Sequence, residues 1–352
     1  MSSGSIVKLN TQVNIARPTA TRMWLVFCCA LLAVVQSAIG DAGASFAVAV
    51  TALVSAILAE LLMTSTVHGL NKVKDGSAAA SAMVLTLLLP NQIHPVYAAL
   101  GAAFAMVVVK HSFGGLGSNW MNPALGGWLF IRFSWPQAFN RALDGMAANA
   151  PQAGSAGDQI IGNFLNKYIF RFLGAELPPG YIDIFSLQSP GIIADRAVLA
   201  LVLSVAVIAA FEISRSWLSL LYLAVFGFLV RMAGGADGWW TGDVIFIFFS
   251  GGTLVTAFIL IVDPSSGAKS IPGNIIIVVL AAVFSLVFRV FASVFYGCFF
   301  AVALVNAFTP FLCKLERRLL FSLSPPSPLN EQGGAFSPAV PAPVRGSPGR
   351  MR

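Results

Sequence analysis

Charge is scarce in this chain. Asp, Glu, Lys and Arg make up 10% of its 352 residues, against about a quarter in an ordinary soluble domain. That shortage excludes a conventional water-facing surface. Histidine occurs three times and cysteine four times. No CxxC or Cys/His spacing joins Cys28, Cys29, Cys298 and Cys313, so no metal centre is supported from this chain alone. His68, His94 and His111 fall at segment ends, where an interfacial place is expected rather than a ligand role. A phosphate-binding loop is missing as well. Gly114-Gly115-Leu116-Gly117 is followed by no Lys-Ser/Thr pair, and nothing resembles a catalytic triad. The net charge of +7 is not gathered on one face, which argues against nucleic acid.

What the chain has instead is apolar length. Hydrophobic residues make up 57% of it, the mean hydropathy is +0.82, and the apolar blocks approach the roughly 20 residues a bilayer crossing needs. The reading is an all-α polytopic membrane protein. A polar N-terminal arm (1–22) precedes a first membrane half (23–135), with spans at 23–40, 42–63, 77–89, 96–109 and 124–135. The piece 77–89 is alanine-rich, is ended by Pro90, and reads as a half-length helix. Residues 136–196 form a long loop with no full span, with an amphipathic helix expected around 160–172. A second half (197–313) carries spans at 197–211, 217–230, 237–262, 274–290 and 292–313. The tail 314–352 is basic and then Pro/Ser/Gly-rich, which predicts disorder. The first apolar run starts at Met23 and lacks a small-residue cleavage site, so no cleaved leader is expected. Lys and Arg are in excess on the side of the termini, which places both termini in the cytoplasm and the long loop outside.

Two stretches interrupt this pattern. Residues 113–127 read FGGLGSNWMNPALGG, and residues 250–273 read SGGTLVTAFILIVDPSSGAKSIPG. Glycine pairs, Asn122-Pro123 and Asp263-Pro264 cannot continue a helix undisturbed. Irregular backbone at membrane depth persists only inside protein or along a polar cavity. Paired interruptions in corresponding halves point to an inverted repeat around a central site. Glu60, in AILAELLM, is the one carboxylate deep in a span. Such a group usually faces the bundle or a water path, and ion or proton coupling and a salt bridge to Lys72 or Lys74 stand as equal readings. Asp243 is expected at the interface and Asp263 as the cap of a turn.

These residues also carry a resemblance. The runs KDGSAAASAMVLTLLLP, KHSFGGLGSNWMNPALGGWL and FSGGTLVTAFILIVDPSSGAKS are similar to the RnfD family, the D-type membrane subunits of the Rnf ion-translocating oxidoreductase complex. That family is related to the B-type subunits of the sodium-translocating NADH:quinone reductase. The resemblance implies about ten helices in two inverted five-helix halves, a layout shared with urea transporters. It implies a bacterial inner-membrane location and partner subunits that include a periplasmic FMN subunit. It implies electron transfer between ferredoxin and NAD, coupled to Na⁺ or H⁺. It also implies FMN joined by its phosphate to a Ser or Thr in the outer loop. The matching piece is Asp183-Ile184-Phe185-Ser186-Leu187-Gln188-Ser189-Pro190, with Asp183 and Ser186 in the pattern and Ser189 at the acceptor position. Gln188 replaces the usual Ala. Two other readings stay open: a passive small-solute channel, and a scaffold subunit that has lost its flavin.

Overall fold

The structure, a computed structural model, describes residues 19–67, 75–112, 119, 121–148, 167, 191–211, 213–233, 242–263 and 270–323. The described residues are helical apart from caps, turns and one isolated bridge. In chain order they form α1 (Thr19–Gly40), α2 (Ala44–Val67), α3 (Ser77–Leu88), α4 (Pro95–Phe104), α5 (Pro123–Ser134) and α6 (Pro136–Ala148). A 3₁₀ turn (Ile193–Arg196) then leads to α7 (Val198–Phe211), α8 (Ile213–Ala233), α9 (Val244–Phe249), α10 (Thr253–Val255), α11 (Ile271–Phe291) and α12 (Gly297–Leu323). α4 runs on as a π-helical segment, Ala105–His111, and α10 as another, Thr256–Leu260.

Among the described residues, four helices are long and apolar enough to cross a bilayer: Ala20–Gly40, Ala44–Thr64, Arg215–Ala233 and Ile271–Phe291. Four shorter apolar helices accompany them: Ser77–Leu88, Pro95–His111, Val198–Phe211 and Gly297–Leu312. Leu32, Ile39, Leu62, Leu203 and Phe291 are exposed, as residues whose solvent is lipid should be. The protein is therefore a multi-pass membrane protein. Helix α12 does not stop at Cys313, where the apolar run ends, but continues through Pro310 and the basic turn to Leu323. The amphipathic helix expected around 160–172 lies outside the described residues except for Lys167. The start of the long loop is itself helical, as α6.

The interrupted helices are positioned by proline and glycine. α3 starts after Gly76, which is left-handed at φ 71, and ends at Leu89-Pro90. α10 starts after Gly252, left-handed at φ 64. These are conformations glycine reaches without the Cβ penalty. The two segments run in opposite directions. Ser77, at the start of α3, lines the same cavity as Asp263, just past the end of the α10 segment. At the other end, Ile193 donates its N–H to Leu89 O (2.9 Å), while Asp195, two residues on, accepts from Gly252 N (2.9 Å). One short turn thus joins the end of α3 to the start of α10.

Packing closes around these segments. A Cβ on Gly127 of α5 would lie 2.5 Å from the Gly101 carbonyl of α4, so those backbones touch as only glycine permits. Trp128 is fully buried against Phe139, Tyr296, Phe299 and Phe300, with ring centroids 5.1 to 6.2 Å apart. Tyr222 of α8 bonds Ser285 of α11 at 2.8 Å inside the second half.

Candidate functional site

Two polar clusters sit at the starts of the two interrupted segments. At α3, Lys110 Nζ donates to Ser77 Oγ (2.6 Å) and to Glu60 Oε1 (2.7 Å). His111 Nε2 lies 2.9 Å from Glu60 Oε2. Glu60 and Lys110 are almost sealed, with 2% and 3% of their side chains exposed, whereas His111 keeps 23%. Ser77 Oγ in turn donates to Asp75 Oδ1 at 2.6 Å. The π-helical turn matters here. It inserts extra backbone at 105–111 and carries consecutive residues Lys110 and His111 to the two oxygens of one carboxylate, a placement in keeping with the frequency of π-turns at functional sites.

At α10, Arg289 takes the place of Lys110. Its guanidinium donates to Thr253 Oγ1 (2.9 Å), Ser250 O (3.0 Å), Ser250 Oγ (2.7 Å) and Ile247 O (3.2 Å). Each cluster therefore has a left-handed glycine, a hydroxyl residue directly after it, and a basic residue from a later helix that holds the hydroxyl. The separations are 33 residues in the first half and 36 in the second. Asp195 supplies the counter-charge. It is buried, and burial pushes its carboxyl up to about 6 against the opposing pull of the Gly252 N–H and of Arg289.

Beside the first cluster lies a cavity of about 40 Å³ lined by residues that include Arg22, Ser77, Lys110, Asn119, Asn122 and Asp263. Arg22 donates to Val262 O (3.0 Å) and Asn122 Nδ2 to Asp263 Oδ2 (2.8 Å). Asn119 is 3% exposed, and its Oδ1 has no hydrogen-bond partner among the described residues. A buried amide oxygen in that state is costly unless water or a ligand meets it.

The sequence expectations meet this geometry unevenly. Glu60 is buried as expected, but its partners are Lys110 and His111. Lys72 and Lys74, the neighbours along the chain, lie outside the described residues. His111 is a carboxylate partner, while His94 is the N-cap of α4. Asp243 caps α9 by accepting from Phe246 N (2.9 Å). Asp263 reaches across the molecule to Asn122. Asp183, Ser186 and Ser189 lie outside the described residues, as does Gln188. Lys110, Arg289 and Asp195 were not singled out from the sequence. The signal available was the parallel of Asp75-Gly76-Ser77 with Gly251-Gly252-Thr253, each followed by a basic residue at nearly equal distance.

Apolar helices long enough to cross a bilayer, packed around two oppositely directed interrupted helices with polar starts, define a multi-pass membrane protein. More particularly, the chain belongs to the NQR2, RnfD, RnfE family, which matches residues 6–321. It is 26% identical over 276 residues to the D-type subunit of the proton-translocating ferredoxin:NAD(+) oxidoreductase complex of Clostridium ljungdahlii, covering 78% of this chain and 83% of that protein. It is 24% identical over 287 residues to the D-type subunit of the Na(+)-translocating ferredoxin:NAD(+) oxidoreductase complex of Acetobacterium woodii, covering 77% and 81%. Against the D-type subunit of the ion-translocating oxidoreductase complex of Shewanella denitrificans the identity is 29% over 268 residues, covering 68% and 75%.

Proposed function

We propose that this chain is a D-type membrane subunit of an electron-transfer complex that drives Na⁺ or H⁺ across a bacterial inner membrane, working between ferredoxin and NAD. The observation that carries the reading is the pair of interrupted helices with matched basic–hydroxyl latches, in a chain of a family whose relatives are named as subunits of such complexes. In this reading the helices form ten spans in two inverted halves of five, arranged as in urea transporters, with both termini cytoplasmic. Other subunits, among them a periplasmic FMN subunit, complete the machine, since no NADH site and no cluster-forming cysteines were read in this sequence.

FMN is held covalently at Ser189, with Asp183 and Ser186 forming the rest of the acceptor pattern. When bound, the flavin supplies the redox chemistry, and the chain supplies its position. Ser189 lies four residues before Ile193 in the sequence, and Ile193 is tied to the end of α3. Glu60 belongs to the ion-coupling part.

Mass spectrometry of the purified chain tests the reading. The expected result is an FMN adduct on a peptide from 136–196, with in-gel fluorescence after denaturation, both lost in Ser189→Ala. A flavin-free chain that passes small solutes in liposomes would instead establish a passive channel. A complex that turns over unchanged with Ser189→Ala would make the chain a scaffold.

A further inference from the structure

We propose that the Glu60–Lys110–His111 cluster and the adjoining cavity form a proton-loading site, so that the ion handled there is H⁺ and not a metal cation. This rests on the ion-coupling reading above and names the ion for it.

The hydrogen bonds are continuous. His111 is partly exposed and bonds one oxygen of Glu60; the other oxygen bonds Lys110, which lines the cavity. An ammonium has three donors. Lys110 uses two, on Glu60 and Ser77, and the third has no partner among the described residues. The cavity volume of about 40 Å³ gives room for about three waters at the 10–15 Å³ each requires. Asn119 Oδ1 is an acceptor lacking a donor among the described residues, and the Asp263 carboxylate lines the same cavity.

The charges argue against a metal ion. The groups that face the cluster are Arg22 from α1, Glu60 from α2, Asp75 before α3, Lys110 and His111 from α4, and Asp263 after α10. Glu60 is neutralised by Lys110, and of the charges left on the cavity wall Arg22 is balanced by the carboxylate of Asp263, so the wall offers a metal cation no excess negative charge. A sodium ion would have to give up water to enter beside Lys110 and Arg22, and like charges repel strongly where water is thin. Among the described residues no group of three or more His, Cys, Asp or Glu is placed to hold a metal.

The transfer balances as follows. A proton from the exposed side binds the His111 imidazole, which bonds Glu60 Oε2, and passes to that oxygen. Neutral Glu60 no longer stabilises the ammonium, so Lys110 releases its third proton to water in the cavity. Rotation of the Glu60 carboxyl then returns its proton to the Lys110 amine. The ion pair is restored, and one proton has moved from outside the cluster into the cavity.

Lys110→Arg is the deciding variant. Arg keeps the positive charge and the pair with Glu60 but does not deprotonate in proteins. A purely structural Lys110 is rescued by Arg; a proton carrier is not. The complex containing the full chain is reconstituted in liposomes with reduced ferredoxin and NAD⁺ in sodium-free medium. Lumenal pH is read by a dye, and radioactive sodium uptake is measured in parallel. The expected result is proton movement by the wild type and a fall of about 100-fold, or to background, in Lys110→Arg, with the covalent flavin and assembly retained. Proton movement at the wild-type ratio in Lys110→Arg overturns the proposal, as does sodium uptake that falls in that variant. If Lys110→Arg does not accumulate, His111→Gln at the exposed end decides by the same readouts. If the wild-type complex transfers no electrons from ferredoxin to NAD⁺, the functional reading fails by itself. The proton site is then decided on the purified full chain by infrared titration. A protonated-carboxyl band that appears on acidification and is missing from Glu60→Gln supports the site, and its absence at every pH where the chain stays folded overturns it.

Discussion

Replacing Arg289 by Met tests whether the second latch holds the interrupted helix in place. Methionine keeps the apolar stem and removes the guanidinium. Four hydrogen bonds go with it, to Thr253 Oγ1, Ser250 O, Ser250 Oγ and Ile247 O. The loss is less than four times the value of one bond. Thr253 Oγ1 is also within reach of Ile247 O (2.8 Å) and Ser250 O (2.9 Å), so its single hydroxyl hydrogen can still serve one of the two carbonyls. The larger penalty falls on Asp195, which is buried and loses the cation that favours its charged form. Removing one partner from a buried charge network costs about 3–5 kcal/mol, and the shared carbonyls place this case near the lower end, at about 3 kcal/mol. Arg289→Lys keeps the charge but cannot span the fork, and should lose about half as much. Equilibrium unfolding in mixed detergent micelles measures both. A double cycle with Thr253→Val should show a coupling of about 1 kcal/mol or more. An Arg289→Met protein within about 1 kcal/mol of wild type would refute the latch.

Gly127→Ala should push α5 away from α4, because the new Cβ meets backbone at 2.5 Å; a loss of about 1–3 kcal/mol is expected, and an unchanged unfolding midpoint would contradict the close approach. Gly252→Ala should also destabilise, since φ 64 disfavours any side chain there, and the same measurement checks it. Asp195 predicts a pH effect with a definite sign. Its folded pKa is raised from 3.8 to about 6, so the native state binds more protons than the unfolded chain between those values. Its contribution to stability therefore falls as pH rises through that window, by up to about 3 kcal/mol, and is flat above it. The stability difference between wild type and Asp195→Asn, followed from pH 4 to 7, should shrink accordingly, and a difference that grows with pH would reverse the argument.

The interrupted helices were legible in the sequence because their punctuation is local. The half-helix read at 77–89 is observed at Ser77–Leu88, set by Gly76 before it and Pro90 after it. Asn122-Pro123 likewise marks the start of α5, where Asn122 Oδ1 accepts from Ala124 N. Hydropathy showed that Glu60 lies deep, but not what it touches. Its partners are 50 and 51 residues away and arrive there through a π-helical turn, a register change that no periodicity of apolar residues announces. The sequence offered Lys72 and Lys74 because they are near along the chain, whereas packing of α2 against the end of α4 selected Lys110. Arg289 was hidden for the same reason: it lies near the end of an apolar run, yet it points inward to a break in another helix.

The turn at Ile193–Arg196 carries a mechanical consequence. Ile193 grips the last residues of α3 and Asp195 grips the first of α10, within a span too short to stretch. Any displacement of one broken segment is thereby handed to the other, as by a rigid crosspiece. A force applied to the chain just before Ile193 would therefore be felt by both interrupted helices together.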